Sequence, residues 1–168
     1  MVGPRSFEGR KSSFDAVADA RTRLLVLGSL PGEVSLAQGQ YYAHPQNQFW
    51  RLIGAVIGRE LAALPYDERL QALLAAGVGL WDVVRSARRA GSLDTAIRDH
   101  EANALPDLCA ALPDLRAVAF NGGKASALGR RVLTEGPTLI TLPSSSPAHT
   151  LAYAQKLAQW GALRGYLN

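Results

Sequence analysis

Two segments carry side chains whose types and spacing suit chemistry rather than chain connection. In residues 41–50, YYAHPQNQFW, two tyrosines, a histidine, three amides, a phenylalanine and a tryptophan fall within ten positions. A loop that only joined elements would favour Gly, Ser, Asp and Asn over so many large planar groups. This loop is therefore expected to hold a ligand or a reaction, the alternative being a hydrophobic plug folded under a sheet. The second segment, PSSSPAHT at 143–150, sets three consecutive serines beside Pro, His and Thr, ahead of a final helix. Hydroxyls and free backbone N–H groups at a helix start hold phosphate, and the helix dipole adds to the attraction. One serine would suffice as an N-cap; Ser144, Ser145 and Ser146 together exceed what capping needs.

Both segments must be delivered to one place by the elements around them. The uninterrupted apolar run at about 23–28, RLLVLG, predicts a strand buried on both faces, as in parallel sheets, and it opens into the turn GSLPG. A helix is expected near 46–58, where Phe49, Leu52, Ile53, Val56 and Ile57 recur at helical spacing. Another at about 66–76 ends at Gly77 and Gly79, and the short strand GLWDVV follows. Residues 85–99, polar and rich in arginine, read as a surface loop or frayed helix. A helix at about 101–112, the strand RAVAFNG, a helix at about 123–134, the strand TLITLPS and a helix at about 149–166 complete the chain. This alternation over short links implies right-handed crossovers and an α/β fold, a three-layer αβα sandwich around a central four-stranded, mostly parallel sheet. The C-terminal ends of such strands share one edge, so 29–32, 121–123 and 144–149 are expected to line one crevice.

The 168 residues suit a single domain, 1–168, with 1–20 as a polar lead-in where Arg5, Arg10 and Lys11 face Glu8, Asp15 and Asp19. A hydrophobic share of 48% is enough for an ordinary core and argues against disorder. No apolar run approaches the roughly 20 residues of a bilayer span, and the N-terminus lacks the apolar core of a secretion signal. A cytoplasmic protein is expected, with no membrane partner. The single cysteine, Cys109, leaves no thiolate set for an iron–sulfur cluster or zinc knuckle, and His44, His100 and His149 are scattered, so neither metal nor cofactor is expected. The charge of +4 comes almost wholly from arginine, 15 Arg against 3 Lys. Guanidinium favours bidentate phosphate contact, which fits a nucleic-acid partner better than a lipid surface and makes Arg85 and Arg88 candidate phosphate contacts. An arginine-rich proteome is the alternative explanation.

GSLPG, its spacing to YYAHPQNQFW, and LPSSSPAHT resemble the two signature regions of the uracil-DNA glycosylase superfamily. The likeness is strongest to its hypoxanthine-DNA glycosylase branch, often called family 6, with the mismatch-specific uracil and thymine glycosylases more distant. It extends over most of the chain, including GLWDVV, SLDTAIRDHEANALP and AFNGGKA. The resemblance implies a monofunctional, monomeric repair enzyme whose partner is DNA carrying a damaged base. It flips out a deaminated base, hypoxanthine with uracil and xanthine as further candidates, and hydrolyses the N-glycosidic bond.

The resemblance also implies roles. In the mismatch glycosylases the first motif reads GINPG and its Asn aligns a water; the matching residue here is Leu30, which cannot. In the hypoxanthine branch the Asn of the HPxNxFW segment is the catalytic candidate, here Asn47, whose amide can hold a water by donating and accepting at once. Capping of the helix beside it is the alternative. Tyr42 stands twelve residues after Leu30, where the relatives carry the ring that stacks on the extruded base. The turn residues Gly28, Ser29 and Leu30 are expected at the base's polar edge through their backbone. Asn121 is a second base-reading candidate, or only a turn former before Gly-Gly. His149 falls where the second motif meets DNA, to stabilise the departing base or to contact phosphate. Ala148 occupies the place where the thymine-type enzymes fill the gap left by the flipped base, and it is too small to do so.

Rival chemistries find less support. A paired-carboxylate glycosidase has only Glu33 in the motif region, with no clear second acid. Lys124 as a Schiff-base lysine is the kind of first-turn residue that faces solvent. A serine hydrolase lacks GxSxG and any acid after His149. The main rival is a non-catalytic DNA-binding member of the same fold, which loss of the GINPG asparagine would suit.

Overall fold

The apolar runs of the sequence form the inner layer of the fold. The computed structural model describes residues 10–168, so the lead-in residues Arg5 and Glu8 lie outside the described residues. In chain order the elements are β1 (Arg10–Ser12), β2 (Leu24–Gly28), α1 (Glu33–Gln38), α2 (Phe49–Ile57), α3 (Tyr66–Ala75), β3 (Val78–Asp82), β4 (Val84–Arg88), β5 (Arg98–Ala102), α4 (Leu105–Ala111), β6 (Ala117–Asn121), α5 (Gly123–Val132), β7 (Thr138–Leu142) and α6 (Tyr153–Trp160). Single 3₁₀ stretches cover Asp94–Ala96 and Gly161–Tyr166.

Strands β3-β2-β6-β7 pair in that order, and all three pairings are parallel. On one face Leu24, Val26, Leu80 and Ala119 pack beneath α2, α3 and α6, where Phe49, Leu52, Ile53 and Trp160 are fully buried. On the other, Leu25, Leu27, Val118 and Phe120 meet Leu105 of α4 and Ala125 and Leu128 of α5. Removing each large apolar side chain from water contributes about 1.5–3 kcal/mol, so the double coverage explains why these strands are apolar without alternation. The sheet is the middle layer of an αβα sandwich. From β2 the chain moves to β3 on one side and later to β6 on the other. That reversal opens a crevice beyond the C-terminal ends of β2 and β6.

The segment 85–99 departs from its expected loop or frayed helix. It contains β4 and the start of β5, which join β1 in a three-stranded antiparallel sheet of order β1-β4-β5. Register shifts between Val84/Ser86 and Ser86/Arg88 break the two-residue alternation that marks a strand, and β5 is exposed at every position. The inner residues Val84, Ala87 and Ile97 close the second core. The helix expected at 101–112 accordingly begins only at Leu105. Gly77 closes α3 as expected, whereas Gly79 lies within β3. No helix among the described residues is long and apolar enough to cross a membrane.

Candidate active site

The turns that leave β2, β6 and β7 converge on a cavity of about 590 Å³, in the size range of ligand clefts. Segments 28–32 and 144–149 line it with Asn121, and Tyr42, His44 and Asn47 add to the wall. Two further contributions, Asp82 and residues 92–95, were not expected from the sequence.

The two signature loops are tied together at one buried serine. Asn47, in the turn ahead of α2, accepts the Phe49 N–H on Oδ1 at 2.9 Å and the Ser145 hydroxyl on the same oxygen at 2.8 Å. Ser145 Oγ accepts from Asn121 Nδ2 at 2.9 Å, and the Ser145 N–H donates to Asn121 Oδ1 at 2.9 Å. The Gln48 N–H adds a bond to the Ser145 carbonyl at 3.0 Å. Ser145, expected as a phosphate ligand, is 1% exposed and cannot reach one; it positions two asparagines instead. A second correction concerns Asn47. Two donors occupy both lone pairs of its oxygen, so the carboxamide does not donate and accept at once; its free end is Nδ2, a donor. Asn47 is not the cap of α2, whose N-cap is Gln48; its oxygen closes a turn on the Phe49 N–H just ahead of the helix, and its nitrogen makes no hydrogen bond within the described residues. Ser145→Ala is expected to leave Asn47 and Asn121 short of partners and to cost about 1–3 kcal/mol, lowering the melting temperature by several degrees in a thermal scan.

At the end of β2, a Cβ on Gly28 would stand 2.6 Å from Asp82 Oδ1 and 2.9 Å from the Tyr42 hydroxyl, so only glycine lets these groups approach the strand end. The Leu30 side chain, 6% exposed, packs into the second core, while the residue still lines the cavity, so any contact it makes with a ligand is through its backbone, as expected. The Leu30 and Pro31 carbonyls accept from Arg89 Nη1 at 3.3 Å and Nη2 at 2.5 Å. Arg89 is 4% exposed and braces the turn from beneath, although the sequence groups it with surface arginines. The Ser29 hydroxyl donates to Asp94 Oδ1 at 2.5 Å.

Asp82 and Tyr42 supply polar groups that the protein itself leaves unmet. Asp82 Oδ2 and the Tyr42 hydroxyl are buried without hydrogen-bond partners among the described residues. Burial pushes the Asp82 carboxyl up to about 7, with Asp94 adding to the rise and Arg89 opposing it. Burial also raises Asp94, against its bond from Ser29. The Tyr42 hydroxyl is driven well above its ordinary range by burial and then by the Asp82 charge. Tyr42 holds a left-handed backbone, φ +54°, and one face of its ring stacks on Phe49 at 4.0 Å between centroids, leaving at most one face for a ligand. Tyr41 is a core residue, its hydroxyl donating to the Asp15 carbonyl at 2.9 Å. The expected lack of a second acid is overturned, since Asp82 and Asp94 line the cavity with Glu33. Asp82 was discoverable: it ends the strand in GLWDVV, on the same sheet edge that pointed to Gly28 and Asn121.

The second motif differs from its expected form. Helix α6 begins at Tyr153 rather than 149, and the loop spends its N–H groups internally: Ser146 N–H on Ser144 Oγ at 3.1 Å, Ala148 N–H on Ser146 Oγ at 3.2 Å, His149 N–H on the Ser146 carbonyl at 3.0 Å. The α6 terminus therefore does not face the serines, and the contribution expected from its dipole falls away. Gly122, at φ +105°, lets the chain turn where a Cβ would lie 3.1 Å from Ser144 Cβ. Lys156, almost wholly buried, donates to the Ser146 carbonyl at 3.3 Å, and Trp160 Nε1 to the Pro143 carbonyl at 3.0 Å, fastening the loop to α6. His149 is exposed at the rim. Arg85 and Arg88 do not line the cavity; on β4 they face Glu101 at 3.2 Å and Asp99 at 4.0 Å, in exposed pairs of small energetic weight.

Comparison with known proteins gives a consistent result. The family model described as the uracil DNA glycosylase superfamily matches residues 14–164. A Methanosarcina barkeri protein named hypoxanthine DNA glycosylase is 40% identical over 151 residues, spanning 90% of this chain and 96% of its own. A Methanosarcina acetivorans protein of the same name is 39% identical over 153 residues, spanning 91% and 97%. A Methanosarcina acetivorans protein solved by solution NMR and provisionally classed as a uracil DNA glycosylase superposes with a TM-score of 0.85 at 39% identity, covering 94% of this chain and 98% of that one.

Proposed function

The chain belongs to the uracil-DNA glycosylase superfamily, and from that premise we propose that it is a monofunctional DNA glycosylase that excises hypoxanthine from DNA. The observation that carries this reading is the Asn47–Ser145–Asn121 network, which joins both signature loops at the wall of one cavity. The extruded base stacks on the free face of Tyr42. Its polar edge meets Asp82 and Asn121. A neutral carboxyl presents one donor and one acceptor, which matches the O6 and N1–H of a lactam such as hypoxanthine, whereas an ionised one would repel O6. The C1′–N9 bond breaks with its electron pair passing to the base, leaving an oxocarbenium-like sugar. A water held by Asn47 Nδ2 adds to C1′ and releases its proton to solvent. Ser144, Ser146 and His149 remain the candidates for the flanking backbone, through side-chain hydroxyls and imidazole rather than a helix end.

The test is a panel of duplexes each containing one hypoxanthine, uracil or xanthine. Incubation followed by alkali is expected to cleave the hypoxanthine strand, with no break before alkali. Binding without alkali-labile product would favour the non-catalytic alternative.

A further inference from the structure

Among the described residues one large hydrophobic side chain is well exposed, Leu93, at 57%. A lone exposed leucine is ordinary in itself; its position and support single this one out. It stands at the cavity rim, and both neighbours are tied down. Arg89 Nε and Lys11 Nζ donate to the Gly91 carbonyl at 2.9 and 2.5 Å, and Ser92 Oγ accepts the Glu33 N–H at 2.9 Å. On the other side Asp94 holds the Ser29 hydroxyl, and the Ala96 N–H returns to the Leu93 carbonyl at 3.0 Å. The loop thus presents an apolar side chain to solvent beside the cavity, with its backbone braced against the turn that follows β2. The rim segment 147–149 offers Pro147, Ala148 and His149, with no large aliphatic group.

Taking a nucleotide out of a duplex leaves an unstacked gap, and an apolar side chain that enters it replaces lost base contacts. We propose that Leu93 enters the base stack at the position vacated by the flipped nucleotide. This rests on the glycosylase reading above, and it assigns the gap-filling role to the loop after β4 rather than to the second motif. Burial in the stack would also remove from water the apolar surface that the free protein exposes.

Leu93→Ala should slow hypoxanthine excision from an ordinary duplex by about tenfold or more, while Leu93→Met stays near wild type and the melting temperature does not move. A pyrene nucleotide opposite the lesion fills the gap from the other strand, so it should restore the alanine variant to within about threefold of wild type. Undiminished excision by Leu93→Ala, or a loss that pyrene does not relieve, overturns the proposal. Affinity for a duplex with a tetrahydrofuran abasic-site analogue gives a reading independent of chemistry: Leu93→Ala should bind it more weakly and an intact duplex equally well. Should the wild type excise no base, the glycosylase reading fails by itself, and equal affinity of the two proteins for the abasic duplex still overturns the role of Leu93.

Discussion

Replacing Asn47 with alanine is expected to lower single-turnover excision of hypoxanthine by about a hundredfold or more, the scale of losing one preorganised positioning group, while affinity for duplex DNA changes little. The alanine variant alone is ambiguous, because Asn47 Oδ1 also accepts the Phe49 N–H at the start of α2 and the Ser145 hydroxyl. Loss of that acceptor leaves both donors unmet and costs about 1–3 kcal/mol by itself. Asn47→Asp separates the two functions. The carboxylate keeps an acceptor for both donors, and a negative charge is welcome at a helix start, so this variant should melt close to wild type. It lacks the Nδ2 donors, and its rate should fall about as far as that of the alanine variant. Full activity in Asn47→Asp, measured with enzyme in excess over substrate, would reduce Asn47 to a structural acceptor and remove it from the reaction.

The elements that could be read from the sequence are those whose burial leaves a compositional trace. LLVLG and AVAFN are apolar at nearly every position because helices cover both faces, and α2 repeats Phe49, Leu52, Ile53 and Val56 on one face. The shared edge of a parallel sheet then brings 28–32, Asn121 and 144–149 to one crevice on sequence grounds alone. The small antiparallel sheet left no such trace, since β5 is exposed throughout and bulges interrupt the alternation of β4. Individual side-chain directions were the other limit. Nothing in SSS distinguishes the buried Ser145 from its half-buried neighbours, and nothing in VRSARR marks Arg89 as the one arginine turned inward to hold the Leu30 and Pro31 carbonyls. Those outcomes depend on contacts between loops distant in the chain, which no local spacing encodes. Leu93 carries no signal of its own in the sequence, because the segment around it is polar and has the composition of ordinary surface.

The largest effect on stability is expected at Asp82, and its sign follows from the direction of the shift. Its carboxyl lies at about 7 in the folded protein against an ordinary value of 3.8, so the folded state holds the proton more tightly than the unfolded chain. Stability from this group is complete below the ordinary value, declines as pH rises through the interval from about 4 to 7, and above 7 the fold carries a constant penalty of at most about 4 kcal/mol. The groups that face Asp82 shape the same window: Asp94 pushes the carboxyl upward, Arg89 pulls it down, and the neutral Tyr42 hydroxyl offers no compensating charge. Asp82→Asn has the shape and hydrogen-bonding pattern of the neutral acid and never ionises. The asparagine variant should therefore melt above wild type at pH 8 by several degrees, and the gap should narrow steadily as the pH is lowered toward 4. Excision should follow the same group: wild-type activity declines above pH 7 as the donor to the base oxygen is lost, and Asp82→Asn keeps a flat profile across that range. A difference in melting temperature that stays constant between pH 5 and pH 8 would show that Asp82 ionises as an ordinary carboxylate, and the neutral acid facing the base would have to be abandoned.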